Sequence, residues 1–351
     1  MKVILSLLLL LAVGASAQDD PTTLKLKDYR PESIYKIPVT KIEKAKYPAI
    51  DMHSHDYAPT DADVDRWVRT MDSCGIEKSV ILSGAVGTRF DSIYEKYSRY
   101  PKRFEIWCGF LIEGFKDEGW SDKAVKELER CVKKGARGVG ELSDKGFGLR
   151  YRGGFGPHID DPVMKPLLQK CAELGIPINI HVAEPIWMYL KMDSTNDGLM
   201  NAYKWKIDST QQGILGHAAL VQTLDNAVRD NPKTTFIACH YANCEYDLTI
   251  LGRMFDKYPN FYADGSARFG EVSPIPRYMA TFYEKYQDRL LYGTDNDPEF
   301  PMYEATIRIL ETLDEHFYYF RFYHWPSYGF GLPDKILKKV YRDNAGKVLK
   351  K

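Results

Sequence analysis

The feature that most constrains this chain is an alternation. Eight short apolar or β-branched runs, at 49–55, 79–83, 104–111, 138–142, 177–182, 235–240, 261–265 and 290–294, are separated by stretches with helical patterning such as 61–74, 122–134 and 161–174. Strands that alternate with helices pair in parallel, because each crossover returns the chain to the same end of the sheet. Eight such units close into a (β/α)8 TIM barrel, which takes about 250 residues before insertions. An open doubly wound sheet is the alternative, but neither G-x-G-x-x-G nor G-x-x-x-x-G-K-[ST] occurs to support it. Gly75 and Gly175 stand where helices would end, and Asp161-Pro162 reads as an N-cap followed by proline at the first helical position. The runs recur about every 30 residues except between Val182 and Thr235, where an extra stretch carries Trp187, Met188, Tyr189, Tyr203 and Trp205. This insertion after strand five falls on the C-terminal face, either as a substrate lid or as a surface excursion packing its own aromatics. Trp187 is its candidate substrate-binding residue.

The two ends of the chain read differently. Lys2, an apolar run from Val3 to Val13 and the close Ala15-Ser16-Ala17 have the order of a cleaved secretory signal. Its core is shorter than the roughly 20 residues of a membrane anchor. The expectation is a secreted or periplasmic protein, mature from Gln18, with a signal peptide at 1–17, an N-terminal arm at 18–47 and the barrel at 48–351. The arm is polar and irregular, with Pro21, Pro31 and Pro38. Toward the other end, the aromatic stretch from His316 to Tyr328 covers the barrel or a second copy in a homo-oligomer. Lys+Arg and Asp+Glu are both 48, so the chain lacks the basic excess of a nucleic-acid binder. Cys74, Cys108, Cys131, Cys171, Cys239 and Cys244 form no CxxC pair and are read as buried thiols.

Chemistry concentrates where strands end. Residues two apart on a strand point the same way, so His53 and His55 in Asp51-Met-His-Ser-His55 both aim into the barrel mouth, an arrangement that chelates a transition metal. Strand five ends INIHVAE with His181, strand six FIACHYAN with His240, and strand eight LLYGTDND with Asp295. Unpaired charge at the ends of apolar strands is costly, so five such residues on four strands point to a site. His158, His217, His316 and His324 fall in loops or helices and are read as structural or surface residues.

In this order the motifs resemble the amidohydrolase superfamily, and within it the amidohydrolase-2 family of hydrolases and metal-dependent decarboxylases. The phrases IDMHSH, TTFIACHYAN, FYADGSARFGE, YQDRLLYGTDND and YRDNAGKVL carry the likeness. It implies one divalent ion, Zn²⁺ with Mn²⁺ as the alternative, held by His53, His55, His181 and Asp295. Binuclear branches bridge two metals with a carboxylated Lys on strand four; here Glu141 stands there. Glu141 is left as a ligand for a second ion, an orienting group, or a partner of Arg137 or Lys145. Asp295 is the expected proton shuttle and His240 the group that polarises a carbonyl or holds an oxyanion. Asp264 is expected to hydrogen-bond a ligand histidine. Arg268 either binds a substrate carboxylate or forms a salt bridge, with Glu271 as partner.

The leading expectation is therefore a metal-dependent hydrolase acting on an amide, ester or lactone of a small molecule. A carboxy-lyase acting on an unsaturated or aromatic acid is the alternative, and a non-catalytic metal-binding barrel is the reading from another class.

Overall fold

The computed structural model describes residues 21–149, 154–319, 321 and 323–349. The expected signal peptide at 1–17 and the expected start at Gln18 lie outside the described residues. Eight strands follow one another: β1 Ala49–Ser54, β2 Ile76–Leu82, β3 Phe104–Trp107, β4 Val139–Asp144, β5 Ile178–Val182, β6 Phe236–Ala238, β7 Phe261–Asp264 and β8 Leu290–Leu291. Neighbours pair in parallel and in sequence order, β1 to β3 in one run and β4 to β8 in another. Backbone bonds bridge both gaps. Cys108 N–H donates to Gly138 O at 3.0 Å and Gly140 N–H to Cys108 O at 2.8 Å, while Met52 N–H donates to Tyr292 O at 2.9 Å. The result is a (β/α)8 barrel.

Burial follows from that architecture. Every residue of β1, β5, β6 and β8 is buried, as parallel strands covered by helices require. Ile50, Met52, Val80, Leu82, Trp107, Ile237 and Leu291 form a compact apolar cluster, and a larger core lies between strands and helices. The helix Asp61–Cys74 illustrates the local logic. Thr60 and Asp63 form a capping box, Val64, Trp67 and Met71 make a buried stripe, and Gly75 ends the helix at φ 76°. Gly175 does the same at φ 65° after Lys165–Leu174.

Three expected strands stop early. The runs at 104–111, 235–240 and 290–294 leave the ladder after Trp107, Ala238 and Leu291. In two of these the chain then enters left-handed backbone. His240, Tyr241, Ala242 and Asn243 have φ of 58°, 54°, 56° and 51°, and Asp295 has φ of 51°. The helix expected from Asp161 starts at Lys165, after a 3-10 turn at Pro162–Met164. Asp161 does not cap it, because its carboxylate accepts the His158 N–H at 2.8 Å.

Three segments surround the C-terminal mouth. The arm has one 3-10 turn, Leu26–Asp28, and is tied to the chain's distal end by Thr40, whose N–H and Oγ1 donate to Asp314 at 2.9 and 2.6 Å. The insertion after β5 holds a 3-10 turn at Ile186–Tyr189 and the helix Leu199–Trp205. The aromatic tail folds onto the loop after β7, where Trp325 Nε1 donates to Gly270 O at 2.9 Å and Tyr323 OH to Glu271 at 2.7 Å. All six cysteines are buried and unpaired. Among the described residues, no helix is long and apolar enough to cross a membrane.

Candidate active site

The ends of the strands bring together His53, His55, Glu141, His181, His240 and Asp295. Each imidazole has one nitrogen committed to the protein. His53 Nδ1 bonds Asp264 Oδ2 at 3.1 Å and Ser266 Oγ at 3.0 Å. His55 Nδ1 donates to Leu82 O at 2.9 Å, and His181 Nδ1 lies 2.9 Å from Glu141 Oε1. His240 Nδ1 meets Ser266 O at 2.8 Å. A ring fixed through one nitrogen presents the other in a set direction, which is how proteins aim histidine ligands.

The inward nitrogens converge on two carboxylates. His55 Nε2 is 3.0 Å and His53 Nε2 3.7 Å from Asp295 Oδ1, and His240 Nε2 is 3.7 Å from Asp295 Oδ2. Glu141 lies 3.5 Å from both His55 Nε2 and His240 Nε2 and 3.9 Å from His53 Nε2. It therefore faces histidines, whereas Lys145, one expected partner, pairs with Glu184. Burial works against the His53 imidazolium, but Asp264 and Asp295 outweigh it and hold it up at about 10. His240 goes the other way: burial, and then the nearby Arg268 guanidinium, bring it down to about 4. For Asp295 burial is outweighed by His53 and His55, which keep its carboxyl below the ordinary range.

A divalent cation fits this donor set. Ligand atoms of His53, His55 and Asp295 lie within 4.8 Å of one another. His53 Nε2 and His181 Nε2 are buried with no hydrogen-bond partner, a situation that costs about 1–3 kcal/mol per group unless something meets the lone pair. His181 is not in the His53–His55–Asp295 group; it connects through Glu141, and its Nε2 is 3.5 Å from Glu184 Oε2. Cys239 falls in a second group with His53, Glu141 and His240. Burial and the surrounding carboxylates push its thiol well up, so it remains a neutral donor, 2.9 Å from Asn179 Oδ1.

Around the donors stands a supporting layer. Asp264 accepts from Asn179 Nδ2 at 3.3 Å and from the His240 backbone N–H at 3.2 Å besides meeting the His53 ring, so one buried carboxylate orients one imidazole and anchors the backbone that carries another. Asp51 accepts from the N–H and Oγ1 of Thr294 at 3.0 and 2.6 Å, tying β1 to the chain that delivers Asp295. Tyr57 OH donates to Asp295 Oδ1 at 3.1 Å. Sequence reasoning did not single out Tyr57, Glu184, Asn243 or Ser266. Glu184 could have been found as a carboxylate three residues after His181, and Ser266 by its place two after Asp264; no sequence signal marks Tyr57.

A cavity of about 650 Å³ opens onto His181, His240 and Asp295. Met188, Met200, Trp205, Phe269 and Tyr323 contribute apolar surface to its walls. Arg268 reaches it from after β7, 8% exposed, with Nε and Nη2 donating to Asn243 Oδ1 at 2.9 and 2.7 Å and Nη1 to Ala267 O at 3.1 Å. Of five guanidinium N–H groups, two remain, with Nη2 3.7 Å from Glu184. The partner expected for Arg268, Glu271, lines the same cavity and bonds Tyr323. Trp187 is not among the lining residues: it packs against Gly198 inside the insertion, and Trp205 takes the mouth position. A second hollow of about 500 Å³, beside Ala45, Gly75 and Arg103, lies at the opposite end of the barrel and holds no histidine. His158 and His217 have structural partners, Asp144 Oδ2 and Asn243 O, both at 2.7 Å.

Similarity to known proteins agrees with this architecture. A 2,6-dihydroxybenzoate decarboxylase in complex with 2,6-dihydroxybenzoate superposes with a TM-score of 0.55 at 16% identity, covering 87% of this chain and 100% of the other. A dihydroxybenzoic acid decarboxylase from Polaromonas sp. JS666, with bound manganese and 2-nitroresorcinol, gives 0.54 at 17% identity over 87% and 97%. The 5-carboxyvanillate decarboxylase of Novosphingobium aromaticivorans DSM 12444, also with manganese, gives 0.51 at 16% identity over 90% and 100%. At such identities the likeness speaks for the barrel alone. No curated protein matches the sequence. The sequence itself, however, matches the amidohydrolase-2 family continuously over residues 40–351, a span that contains all eight strands and every donor described above, and the chain belongs to that family.

Proposed function

We propose that this chain is a metal-dependent carboxy-lyase that removes CO₂ from an aromatic or unsaturated acid. The observation that carries the reading is the cavity: apolar and aromatic walls, cationic side chains along its lining, and a floor of histidines and Asp295. Walls of this kind strip water from a carboxylate whose charge disperses as its C–C bond breaks. The decarboxylases among the similar structures support the same choice over the hydrolase expected from sequence. A divalent ion bound by His53, His55 and Asp295, with His181 close by, supplies a Lewis acid; Zn²⁺ is the expectation from sequence, and manganese is bound in two of the similar proteins.

The chain's own groups handle the proton. As the C–C bond breaks, the electron pair stays on the substrate carbon and CO₂ leaves. A proton must replace it; with Asp295 anionic and His240 neutral at rest, the pair, 3.7 Å apart, takes that proton from solvent and passes it to the carbon. One acid and one proton give one CO₂ and one C–H product. Asp264 and Ser266 hold the rings in line, and Arg268 offers its remaining N–H groups to the carboxylate.

Hydrolysis is the second reading, favoured by an Asp295 that stays anionic and so can act as a general base. Metal-loaded enzyme, given phenolic and dienoic acids alongside esters and lactones, decides between them. The expected result is one CO₂ per acid consumed, with one deuterium in the product when the solvent is D₂O. Acid release from an ester or lactone without CO₂ would return the chain to hydrolysis.

A further inference from the structure

Two groups of donors on the floor share one ring. Ligand atoms of His53, His55 and Asp295 lie within 4.8 Å of one another, and so do those of His53, Glu141, Cys239 and His240. His53 is common to both. Its Nδ1 is spent on Asp264 and Ser266, which leaves Nε2, a buried atom with no hydrogen-bond partner. That nitrogen faces both ways, 3.7 Å from Asp295 Oδ1 and 3.9 Å from Glu141 Oε1. One lone pair serves one ion at a time, so the two groups are alternatives and not a pair of simultaneous sites.

The groups differ in softness. The first offers two imidazoles and a carboxylate. The second offers the same donor types, with Glu141 3.5 Å from His240 Nε2, and adds the thiol of Cys239, which directly follows Phe236–Ala238 and is fully buried. Of the six cysteines, all buried, Cys239 alone falls in such a donor group among the described residues. Sulfur donors select soft ions, whereas carboxylates suit hard ones such as manganese. A coordinating thiol gives up its proton, here to solvent, so one H⁺ leaves for each sulfur–metal bond made. We propose that the floor has two overlapping metal seats hinged on His53: a nitrogen–oxygen seat with His55 and Asp295 for hard ions, and a sulfur-containing seat with Glu141, Cys239 and His240 for soft ions. The softness of the ion then decides its seat. This goes beyond the carboxy-lyase reading and does not depend on which bond is broken, so failure of that reading leaves the two seats standing.

The full chain, loaded separately with Mn²⁺ and with Cd²⁺, is read by X-ray absorption at each metal's edge, which counts sulfur neighbours in the natural protein without any variant. One sulfur on cadmium and none on manganese is expected. Cys239→Ser is then followed by the ultraviolet sulfur-to-cadmium charge-transfer band and by the affinity for each ion. The band should vanish and Cd²⁺ affinity should fall by about tenfold or more, the least that losing even an outer partner of a ligand costs. Mn²⁺ affinity should hold within about threefold, which also reports that the variant is folded. His55→Ala should do the reverse, weakening Mn²⁺ and keeping the cadmium band. No sulfur on cadmium, sulfur on both metals, a band that survives Cys239→Ser, or equal loss of both affinities in the folded variant overturns the two seats. If the serine variant does not fold, the sulfur counts on the natural protein decide alone.

Discussion

The floor and the mouth of this barrel are built on opposite terms. On the floor, His53, His55, His181 and His240 each spend one ring nitrogen on a named protein partner, and Asp264 holds both the His53 ring and the His240 backbone N–H. At the mouth, Lys27 and Lys204 extend from an arm and an insertion, and both are exposed. The floor is preorganised, so its geometry exists before substrate arrives and costs little to use. The mouth pays its ordering entropy only when a ligand is bound. Chemistry that tolerates small errors in position badly is thus confined to strand ends, and recognition is left to adaptable segments.

The largest expected effect comes from replacing a floor carboxylate and a rim carboxylate two residues apart. Asp295 is contacted by His55 and Tyr57, whereas Asp297 is paired with Arg321 and its side chain is 54% exposed. With saturating metal, Asp295→Asn should lower turnover by about 10²–10⁴-fold, the range lost with a general acid–base group. Asp297→Asn breaks only a surface pair, worth about 0–1 kcal/mol, and should leave turnover within about twofold. Collapse in the second variant with near-normal turnover in the first would move the proton chemistry to the rim and dissolve the contrast between the two regions.

A second variant asks how far the floor's rigidity depends on its left-handed turn. Asn243 is fully buried at φ 51°. It donates to Val182 O and Ala183 O at 3.0 and 3.3 Å and accepts both Arg268 bonds. Asn243→Ala leaves a buried guanidinium with two unmet N–H groups, two bare carbonyls, and a residue less at ease in left-handed backbone than asparagine. A loss of about 2–4 kcal/mol is expected in urea unfolding of the metal-free protein. A loss below about 0.5 kcal/mol, the size usual at surface positions, would mean that the turn is held by something other than Asn243.

What could be read in advance divides along the same line. The alternation of apolar runs and helical stretches was enough for the barrel, because parallel strands buried on both faces leave continuous apolar signals. It was enough too for His53 and His55, since a strand's two-residue repeat sends both to one side. His240 was found for a reason that does not hold: it was expected on a strand, and it sits two residues past Ala238 in left-handed backbone that no periodicity announces. Trp187 and Trp205 were equivalent in sequence, and only the packing of Trp187 on Gly198 separates them. Long-range partners were the least legible. Nothing near Thr40 signals Asp314, and the sequence around Glu141 leaves a metal ligand, an orienting group and a pair with Arg137 or Lys145 all open, because its histidine partners lie far away along the chain.

The smallest expected effect lies in the arm, where that Thr40–Asp314 contact can be weakened alone. Thr40→Val removes the 2.6 Å Oγ1 bond and keeps the backbone bond at 2.9 Å, while Arg308 still holds Asp314 at 2.7 Å. Loss of one such bond is worth about 1 kcal/mol, which makes local opening about fivefold more frequent. Because the described residues of the arm carry no strand, the cost should appear as faster amide exchange in residues 37–45, with global unfolding nearly unchanged. Acid should weaken the same anchor. Burial raises the Asp314 pKa, but the Thr40 and Arg308 bonds outweigh it and hold it below the usual 3.8. A carboxyl lowered in the folded state stabilises fully above its unfolded value and loses that contribution as pH falls through the folded one. Exchange in the arm should therefore accelerate below about pH 4 in the natural protein. It should do so less steeply in Thr40→Val, where one of the bonds that lowers the pKa is gone. Arm exchange that ignores both the substitution and the acid would show that the arm is held elsewhere, and Lys27 and Arg30 would then owe their place at the mouth to other contacts.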